Sequence, residues 1–223
     1  MFQSCQEQDV HRIFCVGDIV GYGANPKECI DLIQSQQIIS VAGNHDWAAC
    51  GKLNTDNFNP AAKAAIDWTR AQLDSHEVEY LKQLPVFFRE DSFVMAHASL
   101  HKPSSFHYIK DIVGTVDTFY LMKENVCFIG HTHVPKIYRQ KDSRVEYVNL
   151  PAAMVEPGCK YIVNVGSVGQ PRDGNPLACY CIYDIGLSRV DIVRIPYSLQ
   201  ETRRKILEAQ LPDTLAQRLL VGH

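Results

Sequence analysis

Long apolar runs are what this 223-residue sequence lacks first. No stretch approaches the ~20 consecutive apolar residues needed to cross a bilayer, and the opening residues MFQSCQEQDV hold nothing like the apolar core of a secretory signal. The expectation is a soluble, cytoplasmic protein without a membrane partner. A basic excess is missing too: 22 Lys and Arg stand against 25 Asp and Glu, for a formal charge of −3. That balance excludes an extended electrostatic surface for a nucleic-acid backbone. The small basic cluster Arg203, Arg204 and Lys205 reads as a solvated helix face. The eight cysteines include no C-x-x-C pair. Several, such as Cys15 and Cys127, lie inside apolar runs, so they read as reduced, buried small hydrophobes rather than zinc ligands or disulfides. Internal repeats, low-complexity segments and linkers are absent as well, which leaves a single domain over residues 1–223.

What is present is a set of short apolar runs rich in Val, Ile and Phe, the composition of strands buried on both faces. Four share one grammar. RIFCVGD ends at Asp18, IISVAGN at Asn44, SFVMAHAS at His97, and VCFIGHTH at His131 and His133. In each, a small residue (Gly17, Gly43, Ala96, Gly130) stands directly before a group able to bind metal. Helical signals lie between them. Asn25 and Asn59 are candidate N-caps, each followed by a proline at the first helical position, and Cys29, Ile30 and Ile33 form the apolar face of the first of these helices. Asp74 and Glu77 make a capping box. This alternation predicts an α/β (α+β layered) fold. From about Arg144 the segments VEYVNL, YIVNVG, LACYCIYDI and RVDIVRIPY read as sequential strands joined by tight turns, forming a second, partly antiparallel sheet. The fold expected is therefore two packed mixed β-sheets flanked by helices, closed by a helix over SLQETRRKILEAQL and a short helix or loose tail.

In open α/β sheets ligands bind beyond the carboxyl ends of strands. Four strand ends offering one carboxylate, one amide and three imidazoles at that rim make a candidate metal site. Mixed nitrogen and oxygen donors suit Mn, Fe, Co, Ni or Zn better than Ca or Mg. His131 and His133, two apart, would face the same side of an extended segment. Any one of these residues is more often a turn or core residue. Their recurrence at matching positions is what carries the reading.

The blocks GDIVGYGANP, GNHD (Gly43 to Asp46), the strand-end His97, GHTH (Gly130 to His133) and NVGSVGQPRDGNP together resemble the signature of the calcineurin-like metallophosphoesterase superfamily, small prokaryotic type. The resemblance implies a β-sandwich with a two-metal centre at one rim. It further implies that Asp18 bridges both ions, that Asn44, His97 and His131 complete one shell, and that His133 binds the other ion. His45 would be general acid or charge stabiliser at the leaving group, with Asp46 orienting it. The activity implied is hydrolysis of phosphomono- or phosphodiesters by a metal-activated hydroxide, on a nucleotide, phosphodiester or phosphoprotein. SLHKPSSFHYI is a candidate substrate loop through His101 or His107, and Arg172 in QPRDG could meet an anion.

The same resemblance exposes a lack. Family members open with a strand ending in D-x-H, whose Asp and His bind the first ion. No strand ending in D-x-H precedes Asp18; Asp9, Val10 and His11 have that spacing but stand before the apolar run rather than after it. MFQSCQEQDVHRIF reads as the end of a helix with Phe2 and Cys5 on its apolar face, so a strand and half a helix, roughly 20 residues, are expected upstream. The first strand is thus expected to be missing, leaving one well-ligated metal position and an unpaired sheet edge on which a homodimer could form. A catalytically impaired scaffold or protein-binding module is the alternative that this lack allows.

Overall fold

The computed structural model describes residues 1–149 and 151–223. The chain runs through α1 (Phe2–Glu7), β1 (Phe14–Cys15), α2 (Pro26–Ser35), β2 (Ile39–Ser40), α3 (Asn44–Ala49), α4 (Pro60–Gln72) and α5 (Ser75–Gln83). Then follow β3 (Phe87–Arg89), β4 (Phe93–Ala96), α6 (Val116–Leu121), β5 (Val126–Ile129), β6 (Lys136–Lys141) and β7 (Arg144–Val148). The remainder is β8 (Ala152–Met154), β9 (Cys159–Asn164), β10 (Ala178–Asp184), β11 (Arg189–Ile195), α7 (Leu199–Glu208) and α8 (Asp213–Val221). Residues 213–221, expected as a helix or a tail, are helical. Leu150, the last residue of the VEYVNL run, lies outside the described residues.

The strands form a mixed six-stranded sheet in the order β3-β4-β5-β9-β6-β7, an antiparallel three-stranded sheet β10-β11-β8, and a parallel pair β1-β2. The fold is α/β with mixed sheets flanked by helices, as the sequence predicts. The division of strands is not. β7 and β9 join the large sheet instead of the second one, because β9 runs parallel beside β5, with Cys127 opposite Ile162, and β6 pairs antiparallel with both β9 and β7.

Every residue of β4 and β5 is buried, and the two-residue period sorts them onto two faces. Phe93, Met95, Val126, Phe128, Tyr161 and Val163 share a core with Val190 and Ile192 of the small sheet. Their neighbours Val94, Cys127, Ile129 and Ile162 pack instead with Phe119 and Met122, from α6 and its end. The large sheet is thus the middle layer. Helices α2 to α5 close over Val20 and Ala42 through Ile30, Ile66 and Leu81. On α2, Ile30 is fully buried and Ile33 half-buried, but Cys29 is exposed.

β1 departs from expectation. It is only two residues long, pairs with β2 alone among the described residues, and is half-buried rather than buried on both faces. Phe14, Val16 and Ile39 pack on the same core as Cys181 and Tyr183 of β10. Helix α1 covers part of that flank, where the Tyr180 hydroxyl meets Ser4 Oγ at 2.8 Å and accepts from Gln8 Nε2 at 2.9 Å.

Candidate metal centre

The chain turns sharply after β1, with Gly17 at φ +92° and Asp18 at φ +56°, both left-handed. A Cβ on Gly17 would stand 2.6 Å from Gly43 N. A Cβ on Gly43 would stand 2.0 Å from Asp18 Oδ1, so the two loops approach closer than any side chain permits. Asp46 ties them together. Its carboxylate accepts the N–H groups of Asp18 (2.8 Å), Gly43 (2.9 Å) and Val20 (3.2 Å). The His45 N–H donates to Asp18 Oδ1 at 3.0 Å.

Against this carboxylate stand two imidazoles. His97 Nε2 lies 3.3 Å from Asp18 Oδ2 and 3.1 Å from His131 Nδ1. Its Nδ1 is 2.7 Å from the Val16 carbonyl, which can only accept. Nδ1 therefore carries the proton and Nε2 points into the cluster, the orientation that metal-ligating histidines are given by a carbonyl behind them. The Asp18, His97 and His131 donor atoms lie within 4.8 Å of one another. Separations of 3.1 and 3.3 Å are what a shared ion with metal–ligand bonds of about 2.1 Å requires, since such ligands sit roughly 3.0–3.4 Å apart. Beside them Asn44 Oδ1 and His131 Nε2 are buried with no hydrogen-bond partner among the described residues. An orphaned buried acceptor is rare, and a cation at this rim would satisfy the Asn44 oxygen. The residues present fit one divalent ion.

The same packing sets the electrostatics. Burial alone would raise the Asp18 carboxyl, but His97 and His45 hold it well below the usual carboxylate range. Burial opposes a charge on His97, yet the Asp18 carboxylate outweighs it and raises the imidazole. Burial, reinforced by His97, lowers His131 to about 3. Burial, reinforced by Arg172, lowers His133 to about 3. Both rings are therefore neutral and keep a lone pair to donate.

Two expectations need correction. His131 and His133 do not project from an extended segment. Strand β5 ends at Ile129, and both histidines adopt left-handed backbone, φ +64° and +60°. They diverge: His131 joins the cluster, whereas His133 Nδ1 turns to the Gln170 carbonyl at 2.7 Å. Asp46 does not orient the His45 ring, whose Nδ1 has no partner among the described residues; it holds the backbone on either side. Asn44 opens α3. The His101 ring faces Asp117, at 3.9 Å, and His107 is exposed.

Three residues that sequence reasoning did not place in the site surround it. The Tyr108 ring stacks on His131 at 3.8 Å, and Tyr22 lies 4.3 Å from the His45 ring. Arg172, anticipated only as a turn residue that an anion could meet, donates its backbone N–H to the His133 carbonyl at 3.1 Å. Its guanidinium lies 5.4 Å from the Tyr22 ring. The signal for Tyr22 was its place inside GYG, directly after the ligand strand. Tyr108 lay in the loop already singled out for its histidines.

The profile of the calcineurin-like phosphoesterase superfamily domain matches residues 1–187. The chain belongs to this superfamily. It is 35% identical over 222 residues to an uncharacterized protein of Methanocaldococcus jannaschii, covering 97% of this chain and 89% of that one. A crystal structure of a metallophosphoesterase from Sphaerobacter thermophilus is 36% identical, with a TM-score of 0.86 over all of this chain and 94% of that one. A hypothetical protein from Pyrococcus horikoshii shares the fold at 17% identity, TM-score 0.77, over all of this chain and 90% of its own. Within the calcineurin-like fold, the half-buried Asp18 and the buried His97 and His131 form a hydrolase-type site able to hold one divalent metal ion. No helix among the described residues is long and apolar enough to cross a membrane.

Proposed function

We propose that this protein hydrolyses phosphomono- or phosphodiesters at the Asp18–His97–His131 cluster. The observation that carries the reading is the convergence of Asp18 Oδ2, His97 Nε2 and His131 Nδ1 beside the orphaned Asn44 Oδ1. Asp18, Asn44, His97 and His131 would hold one ion, and the mixed donor set favours Mn, Fe, Co, Ni or Zn. A divalent ion there supplies Lewis acidity, acidifying water and drawing charge off phosphoryl oxygens. His133, with Nδ1 fixed on Gln170, would offer Nε2 to a second position that shares Asp18. Burial keeps His45 neutral against the pull of Asp18. The neutral ring can then give the leaving oxygen a hydrogen bond that stabilises charge there, whereas full proton transfer would require the imidazolium form that burial disfavours. Asp46 positions rather than reacts, since its oxygens are spent on three backbone amides.

The test is turnover of phosphodiester and phosphomonoester chromogenic substrates with added Mn. Activity that vanishes in Asp18→Asn supports the proposal; activity unchanged in that variant refutes it. A second reading, a binding module that has lost catalysis, is favoured by one observation: among the described residues, Asp18, His97 and His131 are the one group of three or more His, Cys, Asp or Glu side chains gathered closely enough to share an ion. Metal binding without turnover on either ester class would select it.

A further inference from the structure

Beside the cluster opens a pocket of about 300 Å³, lined in part by Tyr108, Lys110, Thr132, Lys136 and Arg172. That size is at the lower end of small-molecule sites, roughly 300–1,000 Å³. Three cations line it and no carboxylate does. Arg172 donates from Nε and Nη2 to Gln170 Oε1 at 3.2 and 2.8 Å, and Lys136 Nζ donates to the Lys110 carbonyl at 2.9 Å. Lys110 Nζ stands 4.9 Å from the Tyr108 ring centroid. These partners are neutral, so the positive charges stay uncompensated and repel one another. The walls of the pocket adjoin both site histidines. Thr132 lies between His131 and His133, Tyr108 stacks on His131, and the Arg172 N–H holds the His133 carbonyl.

We infer that this pocket binds a second phosphoryl group, so that the preferred substrates carry two linked phosphates, one at the Asp18 cluster and its neighbour among Lys110, Lys136 and Arg172. A guanidinium fork and two point charges are the chemistry that selects a phosphoryl dianion. A lone phosphomonoester would occupy the cluster and leave the cations facing solvent. The assignment of the reacting phosphate rests on the phosphoesterase reading; binding in the pocket does not require an ion.

The test is calorimetric titration of the full chain in EDTA with inorganic phosphate, pyrophosphate, AMP and ADP. Pyrophosphate is expected to bind at least about tenfold more tightly than phosphate, and ADP than AMP, with affinity falling as salt is raised. Lys110→Gln and Arg172→Gln should each lose about tenfold for pyrophosphate, whereas Lys123→Gln, an equal loss of charge at an exposed lysine outside the pocket, should lose none. Lys110 is exposed, so its variant keeps the fold. ADP binding tighter than pyrophosphate identifies a nucleotide, and equal binding a bare polyphosphate chain; both support the second subsite. Equal affinity for phosphate and pyrophosphate, or variants within twofold of wild type, would overturn it. Failure of the phosphoesterase reading looks different: turnover is absent while pyrophosphate discrimination persists.

Discussion

Replacing Gly43 by alanine tests how tightly the two ligand loops are interlocked. The new Cβ would lie 2.0 Å from Asp18 Oδ1, 2.7 Å from Asp18 Cγ and 2.4 Å from Asp18 N, where a comfortable contact is about 3.5 Å. The carboxylate could rotate away, but the backbone nitrogen is held by Asp46 Oδ2 at 2.8 Å. Relief therefore requires moving the Asp18 turn and giving up that charge-assisted bond. Overpacking of this kind costs about 1–3 kcal/mol and the bond about 1.5–3 kcal/mol, so a loss of about 2.5–6 kcal/mol is expected. For a chain of this size that corresponds to a fall in Tm of roughly 5–24 °C. Because Asp18 is displaced from His97, Mn affinity by calorimetry should fall at least about tenfold. Gly23, whose Cβ position faces open space, is the control, and Gly23→Ala should leave both readouts essentially unchanged. A Gly43→Ala protein with wild-type Tm and Mn affinity within twofold would refute the close approach.

Elemental analysis after Mn loading and dialysis should find about one ion per chain, lost in Asp18→Asn; two tightly held ions would show that His133 sits in a complete second shell. His45→Ala is expected to spare that stoichiometry while lowering turnover most for poor leaving groups, and a parallel loss of metal would reassign His45. Asp74 accepts from the His76 and Glu77 N–H groups while Glu77 returns a bond to the Asp74 N–H. Asp74→Ala should therefore cost about 1 kcal/mol by urea denaturation. Burial would raise Glu124, but two 2.6 Å contacts from Arg89 Nη1 lower it below its ordinary 4.5. A depressed carboxyl contributes stability above the unfolded value and loses it as pH falls through the folded one. Urea midpoints of wild type and Glu124→Gln should thus converge in acid below about pH 4.5, and a constant gap down to pH 2 would contradict the ion pair.

The strand-end grammar was legible because it is local: a small residue is needed wherever two loops or a ligand press on the backbone, and Gly17 and Gly43 show that pressure directly. The caps at Asn59 and Asp74 were legible for the same reason, since Asn59 accepts the Ala62 N–H at 2.9 Å. Asn25 looks identical in sequence but spends its side chain on Glu28, at 2.7 Å. The left-handed backbone at His131 and His133 was invisible, because residues other than glycine reach it only when tertiary contacts over-determine them. Tyr22, Tyr108 and Arg172 enter the site from separate loops, and no spacing rule links them. The split of the later strands between two sheets depended on β9 choosing β5, a pairing 35 residues apart that neither strand's pattern encodes.

Strand β1 is held by a two-residue ladder, yet the Val16 carbonyl that aims His97 and the Asp18 carboxylate both hang from its end. A segment so lightly paired opens locally well below the cost of global unfolding. Any ion that binds only the closed form closes it further, by about 2.7 kcal/mol at a hundredfold excess over Kd. Amide exchange across residues 14–20 should then slow on metal loading while β4 and β5 stay as they were, so the ligand cluster doubles as the clasp that fastens a lightly paired strand.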